Sequence, residues 1–237
     1  MPPSTTAAAW VALSATVALA GLGYAAWESF RRLRSLERRL SERERRSRVH
    51  KPALIVLVRH GESEANVDPA KYCSVGDVHV RLTQKGREQA IAAAETLAEL
   101  VGDRSVFSYV SPYKRTKETA GLLLDRLPKG QVVAVREDPR LREREFAGSF
   151  QRSDAAIDRS EENRFGKFFW RAPGGESPAD VYDRVTAFLD TLWRDFRAHP
   201  ELSDAVVVVA GHGLTNRLLA MRWLHWAPEV RTRLYAP

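Results

Sequence analysis

Cysteine is almost absent from this chain of 237 residues, with Cys73 as the single example. One thiol forms no intrachain disulfide and no cysteine-based zinc site, and it fits a reducing compartment. Cys73 is read as a structural residue, partly buried or at the surface, rather than as a catalytic thiol. Phosphate-cradling glycine loops are missing as well. Neither GxxxxGK[ST] nor GxGxxG occurs, so nucleotide folds of those kinds lack support. Positive charge is abundant but confined. Residues 28–51 hold ten of the 37 Lys and Arg against four acids, and residues 1–27 carry no charged side chain. Residues 52–237 are left with 27 basic and 26 acidic groups, so the surplus of +7 does not make the main domain a nucleic-acid binder.

The uncharged stretch Ala7–Trp27 would measure about 31 Å as a helix, close to the roughly 30 Å of a hydrocarbon core. Trp10 near one end and Tyr24 with Trp27 near the other suit the two interfaces. The arginines follow the apolar run instead of preceding it, which argues against a cleaved signal peptide; a transit peptide is the other alternative. Residues 1–27 are therefore expected to form a single-pass anchor that leaves the C-terminal domain in the cytosol, on an endomembrane or an organelle outer envelope. In residues 28–51, Phe30, Leu33, Leu36 and Leu40 repeat at helical spacing among the arginines. That neck reads either as a basic helix on anionic headgroups or as a solvated helix or weak coiled coil.

From residue 52 the pattern becomes α/β. Leu54–Val58 is a β-branched apolar run that ends at Arg59-His60-Gly61, which puts an imidazole at the exit of a strand, where open α/β sheets bind ligands. The guanidinium before it can fork onto two phosphate oxygens while the imidazole supplies a neutral nitrogen nucleophile. A polar loop over 67–81, including a surface His79, leads to a helix over Gln84–Val101 that Thr83 caps and Gly102 ends. Val106–Val110 is a second strand. Ser111-Pro112 then reads as a helix start that sets Arg115 in the first turn, where free amides already favour an anion.

A third strand over Gln131–Arg136 leads to Leu141-Arg142-Glu143-Arg144-Glu145. A carboxyl there, beside a phosphate, would have a raised pKa and could hold the proton that a leaving alkoxide needs. Glu143 and Glu145 both qualify on chemistry alone. Residues 150–178 are long and aromatic, with Phe165, Phe168, Phe169 and Trp170, and read as a lid or as a satellite core. Ser177-Pro178-Ala179-Asp180 opens a helix whose buried stripe is Val181, Val185, Phe188, Leu189 and Leu192. Ala205–Ala210 is the fourth strand. It runs into Gly211-His212-Gly213, a second strand-end imidazole with glycines that allow close approach to a ligand, and a helix over 214–226 follows. A two-histidine metal site is disfavoured because Arg59 and Arg115 would repel a cation.

Four motifs in this order, Arg59-His60-Gly61-Glu62-Ser63, Ser111-Pro112 with Arg115-Thr116, Leu141-Arg142-Glu143-Arg144 and Gly211-His212-Gly213, resemble the histidine phosphatase superfamily. The resemblance covers roughly residues 54–226. It implies the phosphoglycerate mutase-like fold, a three-layer αβα sandwich on a mostly parallel sheet, and a domain over 52–237 that needs neither metal nor cofactor. By this resemblance His60 carries a covalent phosphate, Arg59, Gly61, Asn66, Arg115 and His212 bind it, and Glu143 rather than Glu145 protonates the leaving group. Phe168–Ser177 and Asp180–Val185 look like plant, algal and fungal phosphoglycerate mutase-like proteins. Glycolytic mutases have Tyr and Gly where this chain has Phe146 and Ala147, and a basic pair for the substrate carboxylate that has no equivalent here. Both departures favour a phosphatase, with a mutase or a catalytically silent phospholigand-binding protein as the alternatives. Relatives continue into a further strand beyond the point where this sequence ends. The layout of anchor plus domain also resembles a membrane-anchored mitochondrial protein phosphatase of this superfamily. The substrate is expected to be a phosphorylated small molecule or a phosphoprotein, and homo-oligomerisation is left open.

Overall fold

A computed structural model describes residues 31–39, 49–146 and 159–227. The chain divides into two units, residues 1–48 and 49–237. Of the first unit, a helix over 31–39 is described, exposed along its length. The expected anchor over 1–27, the rest of the basic neck and the side chain of Cys73 lie outside the described residues. Among the described residues no helix is long and apolar enough to cross a membrane.

Among its described residues the second unit has four strands: β1 (Leu54–Arg59), β2 (Val106–Val110), β3 (Val132–Glu137) and β4 (Val206–Gly211). All pair in parallel, in the order β1-β4-β2-β3. Every residue of β2 and β4 is buried, as expected of central parallel strands covered on both faces. The crossovers supply those covers. Helices α1 (Gln84–Val101) and α2 (Lys114–Leu124) lie on one face, and α3 (Pro178–Ala198) and α4 (Gly213–Trp223) on the other. Alternate strand residues feed the two cores. Val206 and Val208 pack with Ala94, Leu97, Val101 and Leu123, while Val207 and Val209 pack with Val185, Phe188, Leu192 and Leu218. The α/β sandwich is thus present, with a four-stranded parallel sheet at its centre.

The caps read from the sequence are largely those used. Thr83 Oγ1 accepts from Gly86 N at 3.0 Å, and Ser177 and Asp180 form a reciprocal capping box. Two boundaries differ. The helix after β4 ends at Trp223 instead of residue 226. The helix after β2 starts at Lys114 with Tyr113 as its N-cap, so Ser111 is not the cap. Its hydroxyl is instead bonded to His212 Nε2 at 2.8 Å and accepts the Tyr113 amide only at 3.5 Å. The aromatic segment divides between the two readings: Phe168 packs on the core and Trp170 is buried, whereas Phe165 and Phe169 are exposed.

Candidate active site

The register of β1 on β4 pairs Arg59 with Gly211, so the next residue of each strand is a histidine and the two leave the sheet side by side. His60 N donates to Gly211 O at 3.1 Å, and the two ring centroids are 5.3 Å apart. Arg115 reaches them from the first turn of α2. Its guanidinium, 1% exposed, sends Nε to His60 Nε2 at 3.3 Å and Nη2 to His212 Nδ1 at 3.4 Å.

Those contacts fix both tautomers, because a guanidinium only donates. His60 Nε2 must carry its lone pair, which leaves the proton on Nδ1, donated to Gly61 O at 2.7 Å. His212 Nδ1 likewise carries a lone pair, and its Nε2–H donates to Ser111 Oγ. Burial, reinforced by the charges of Arg115 and Arg59, lowers the His60 pKa to about 4. Burial and Arg115 hold His212 well below its ordinary value too. Near neutral pH the site therefore presents two uncharged imidazoles against a guanidinium, with an unprotonated Nε2 on His60.

Beside this group opens a cleft of about 320 Å³. Arg59, Tyr72, Asp77, Glu143, Phe146 and Arg217 are among its walls. The Glu143 carboxylate stands 3.9 Å from His212 Nδ1 and accepts Arg144 N–H at 3.0 Å. Burial raises its pKa. Glu145 is exposed and lies outside the cleft walls. Arg59, Arg115, His60, His212 and Glu143 thus come together from four separate stretches of chain.

Gly61 and Asn66 are engaged elsewhere. The Gly61 N–H donates to Thr119 Oγ1 at 3.2 Å, and a Cβ at this position would collide with the carbonyl of Gly86, so the glycine serves the close passage of β1 past α1. Asn66 is exposed, and its Oδ1 accepts both the amide and the hydroxyl of Ser63 at 2.9 Å. Neither residue lines the cleft. Three participants were not foreseen from the sequence. Asp77 takes Arg115 Nη1 on its Oδ1 at 2.7 Å and on its carbonyl at 2.8 Å, from a loop without periodicity that offered no signal. Ser111 was read only as a cap. Arg184 carried a usable signal, since it falls between Val181 and Val185 on the helix side facing the core, where a charge needs a partner.

The family model described as histidine phosphatase superfamily (branch 1) matches residues 55–235. Phosphoglycerate mutase-like protein AT74 of Arabidopsis thaliana is 41% identical over an alignment of 189 positions that covers 75% of this chain and 60% of that protein. This chain thus spans less than two thirds of that relative's length. The broad-range acid phosphatase DET1 of Saccharomyces cerevisiae is 27% identical over a gapped alignment of 270 positions that covers 76% of this chain and 80% of that protein. Among solved structures, mycobacterial glucosyl-3-phosphoglycerate phosphatase in complex with VO3 superposes with a TM-score of 0.55 at 27% identity, covering 73% of this chain and 82% of that one.

Proposed function

Because the chain belongs to the histidine phosphatase superfamily, we propose that it is a metal-independent phosphatase that hydrolyses phosphomonoesters of small molecules through a phosphohistidine on His60. One observation carries the reading: His60 Nε2 faces the donor Arg115 Nε at 3.3 Å while Nδ1 lies 2.7 Å from Gly61 O, the arrangement that leaves the lone pair on Nε2. The Gly61 contact steadies the imidazole as the bond to phosphorus forms.

In the first step Nε2 attacks phosphorus and the ester P–O bond breaks. Arg59, Arg115 and His212 take the equatorial oxygens, whose dianionic charge raises the pKa of His212 and turns it into a donor. The departing alkoxide receives the proton of Glu143, whose raised pKa supports the acid form. In the second step a water attacks phosphorus, Glu143 takes its proton, and the P–N bond breaks to release inorganic phosphate. The acid-phosphatase and glucosyl-3-phosphoglycerate phosphatase relatives support hydrolysis. The test is the full-length protein with 4-nitrophenyl phosphate in excess chelator, followed by a phosphoglycerate. Phosphate released to water supports the phosphatase, and isomerised phosphoglycerate without release supports a mutase. Residues 1–27 are proposed to anchor this domain to a membrane with its catalytic side in the cytosol, on the strength of the uncharged run and its arginine flank. Extraction from membranes by alkaline carbonate would contradict that.

A further inference from the structure

Among the described residues, the segment carrying Glu143 has no helix or strand beyond the short turn Pro139–Leu141, and past that turn its main chain is tied by Glu176 N–H to Glu145 O at 2.8 Å, so side chains must supply most of what fixes it. Arg184 on α3 does so. Its Nη1 donates to the carbonyls of Arg140 and Arg142 at 2.6 and 2.9 Å, and its Nη2 to that of Glu143 at 3.1 Å. Its Nε and Nη2 fork onto the two carboxylate oxygens of Glu176 at 2.9 and 3.0 Å. All five N–H groups of one guanidinium are thus spent, three of them on main-chain carbonyls of the acid segment.

Glu176 completes the bracket by accepting Arg142 Nη2 at 2.5 Å and Glu145 N at 3.0 Å. From the other side Thr215, three residues past His212, donates Oγ1 to Arg142 O at 2.8 Å. The Arg184 and Glu176 side chains are 10% and 14% exposed, so water does little to weaken this pair. Burial works against the charge on Glu176, but Arg184 and the Glu145 amide outweigh it and hold its carboxyl below the ordinary value. Neither residue lines the cleft.

We propose that Arg184, seated by Glu176, is a positioning residue that sets the Glu143 carboxyl for proton transfer to the leaving group without itself touching substrate. The inference rests on the reading of Glu143 as the acid. It is tested in the full-length protein by comparing kcat/KM, which reports the first bond cleavage, for glycerol phosphate and for 4-nitrophenyl phosphate. An alkoxide needs a proton to leave and a nitrophenolate does not. Glu143→Gln is expected to lose about 100-fold on the alkyl ester and little on the aryl ester.

Arg184→Lys keeps the charge but not the five-donor fork, and is expected to lose about tenfold or more on the alkyl ester and less than about threefold on the aryl one. Glu176→Gln should show the same bias, about threefold to tenfold. Adding Arg184→Lys to Glu143→Gln should cost nothing further on the alkyl ester, whereas a folding defect would add its own loss. Equal losses on both esters from Arg184→Lys and Glu176→Gln, with Glu143→Gln still selective, overturn the positioning role alone. An unselective Glu143→Gln overturns the acid assignment and the positioning role with it.

Discussion

The two halves of the site are held by different means. On one side His60 and His212 extend neighbouring parallel strands, and their 5.3 Å separation follows from the register Arg59 on Gly211. On the other side Glu143 hangs on irregular chain tied by a single main-chain bond from Glu176 N–H to Glu145 O and otherwise placed by the side chains of Arg184, Glu176, Arg144 and Thr215. Main-chain pairing survives most substitutions, because every residue brings the same amide and carbonyl. A side-chain bracket fails with any one of its members. The nucleophile side should therefore respond to substitution in its chemistry alone, and the acid side in its geometry as well.

The largest contrast comes from removing the nucleophile. His60→Ala should lower phosphatase turnover by at least about 10⁴-fold while leaving the thermal midpoint within a few degrees of the parent, since β1 keeps its ladder. A variant that lost the fold together with its activity would make His60 part of the scaffold. Arg115→Ala should cost about 10²- to 10³-fold in kcat by removing the donor nearest both imidazoles. Retained kcat with only a raised KM would reduce Arg115 to ground-state binding.

The two sides should also separate by pH. Activity on an alkyl ester should rise with pH through the His60 value of about 4, as Nε2 loses its proton, and fall as Glu143 ionises above the ordinary carboxylate range. Glu143→Gln should abolish the alkaline limb and leave the acid limb in place. An alkaline limb that persists in this variant would assign the acid elsewhere. The smallest effect concerns Asp77, whose carboxylate occupies the Arg115 guanidinium that an incoming anion must reach. Asp77→Asn should tighten competitive inhibition by inorganic phosphate by up to about fivefold, the scale of a partly exposed ion pair. Weaker inhibition would instead mean that Asp77 orients Arg115 for the anion.

The same contrast explains what could be read from the chain. Each strand announced itself as an apolar β-branched run, and the two strand-end histidines followed from those runs without any tertiary knowledge. Val206–Gly211, buried throughout, is the clearest case. Arg115 was reachable because it follows β2 by only a few residues. Composition could not choose between Glu143 and Glu145, because that choice depends on which carboxyl the Arg184 bracket turns toward His212, and the bracket joins residues more than 40 positions apart. Ser111 was misread for a related reason. Its local motif is a good helix cap, and only the long-range approach of His212 redirects the hydroxyl. Asp77 had neither a periodic pattern nor a local motif to mark it.

The central claim is that one imidazole becomes covalently phosphorylated while a second imidazole and the guanidiniums hold the oxygens. Rapid acid-free quenching of the full-length protein with a ³²P-labelled monoester, followed by peptide mapping, tests it most directly. The expected result is an acid-labile, alkali-stable label on His60 that disappears in His60→Ala and persists longer in Glu143→Gln, where water activation is lost. Undiminished labelling of His60→Ala, or rapid turnover by the unmodified protein with no label at any quench time, would contradict it.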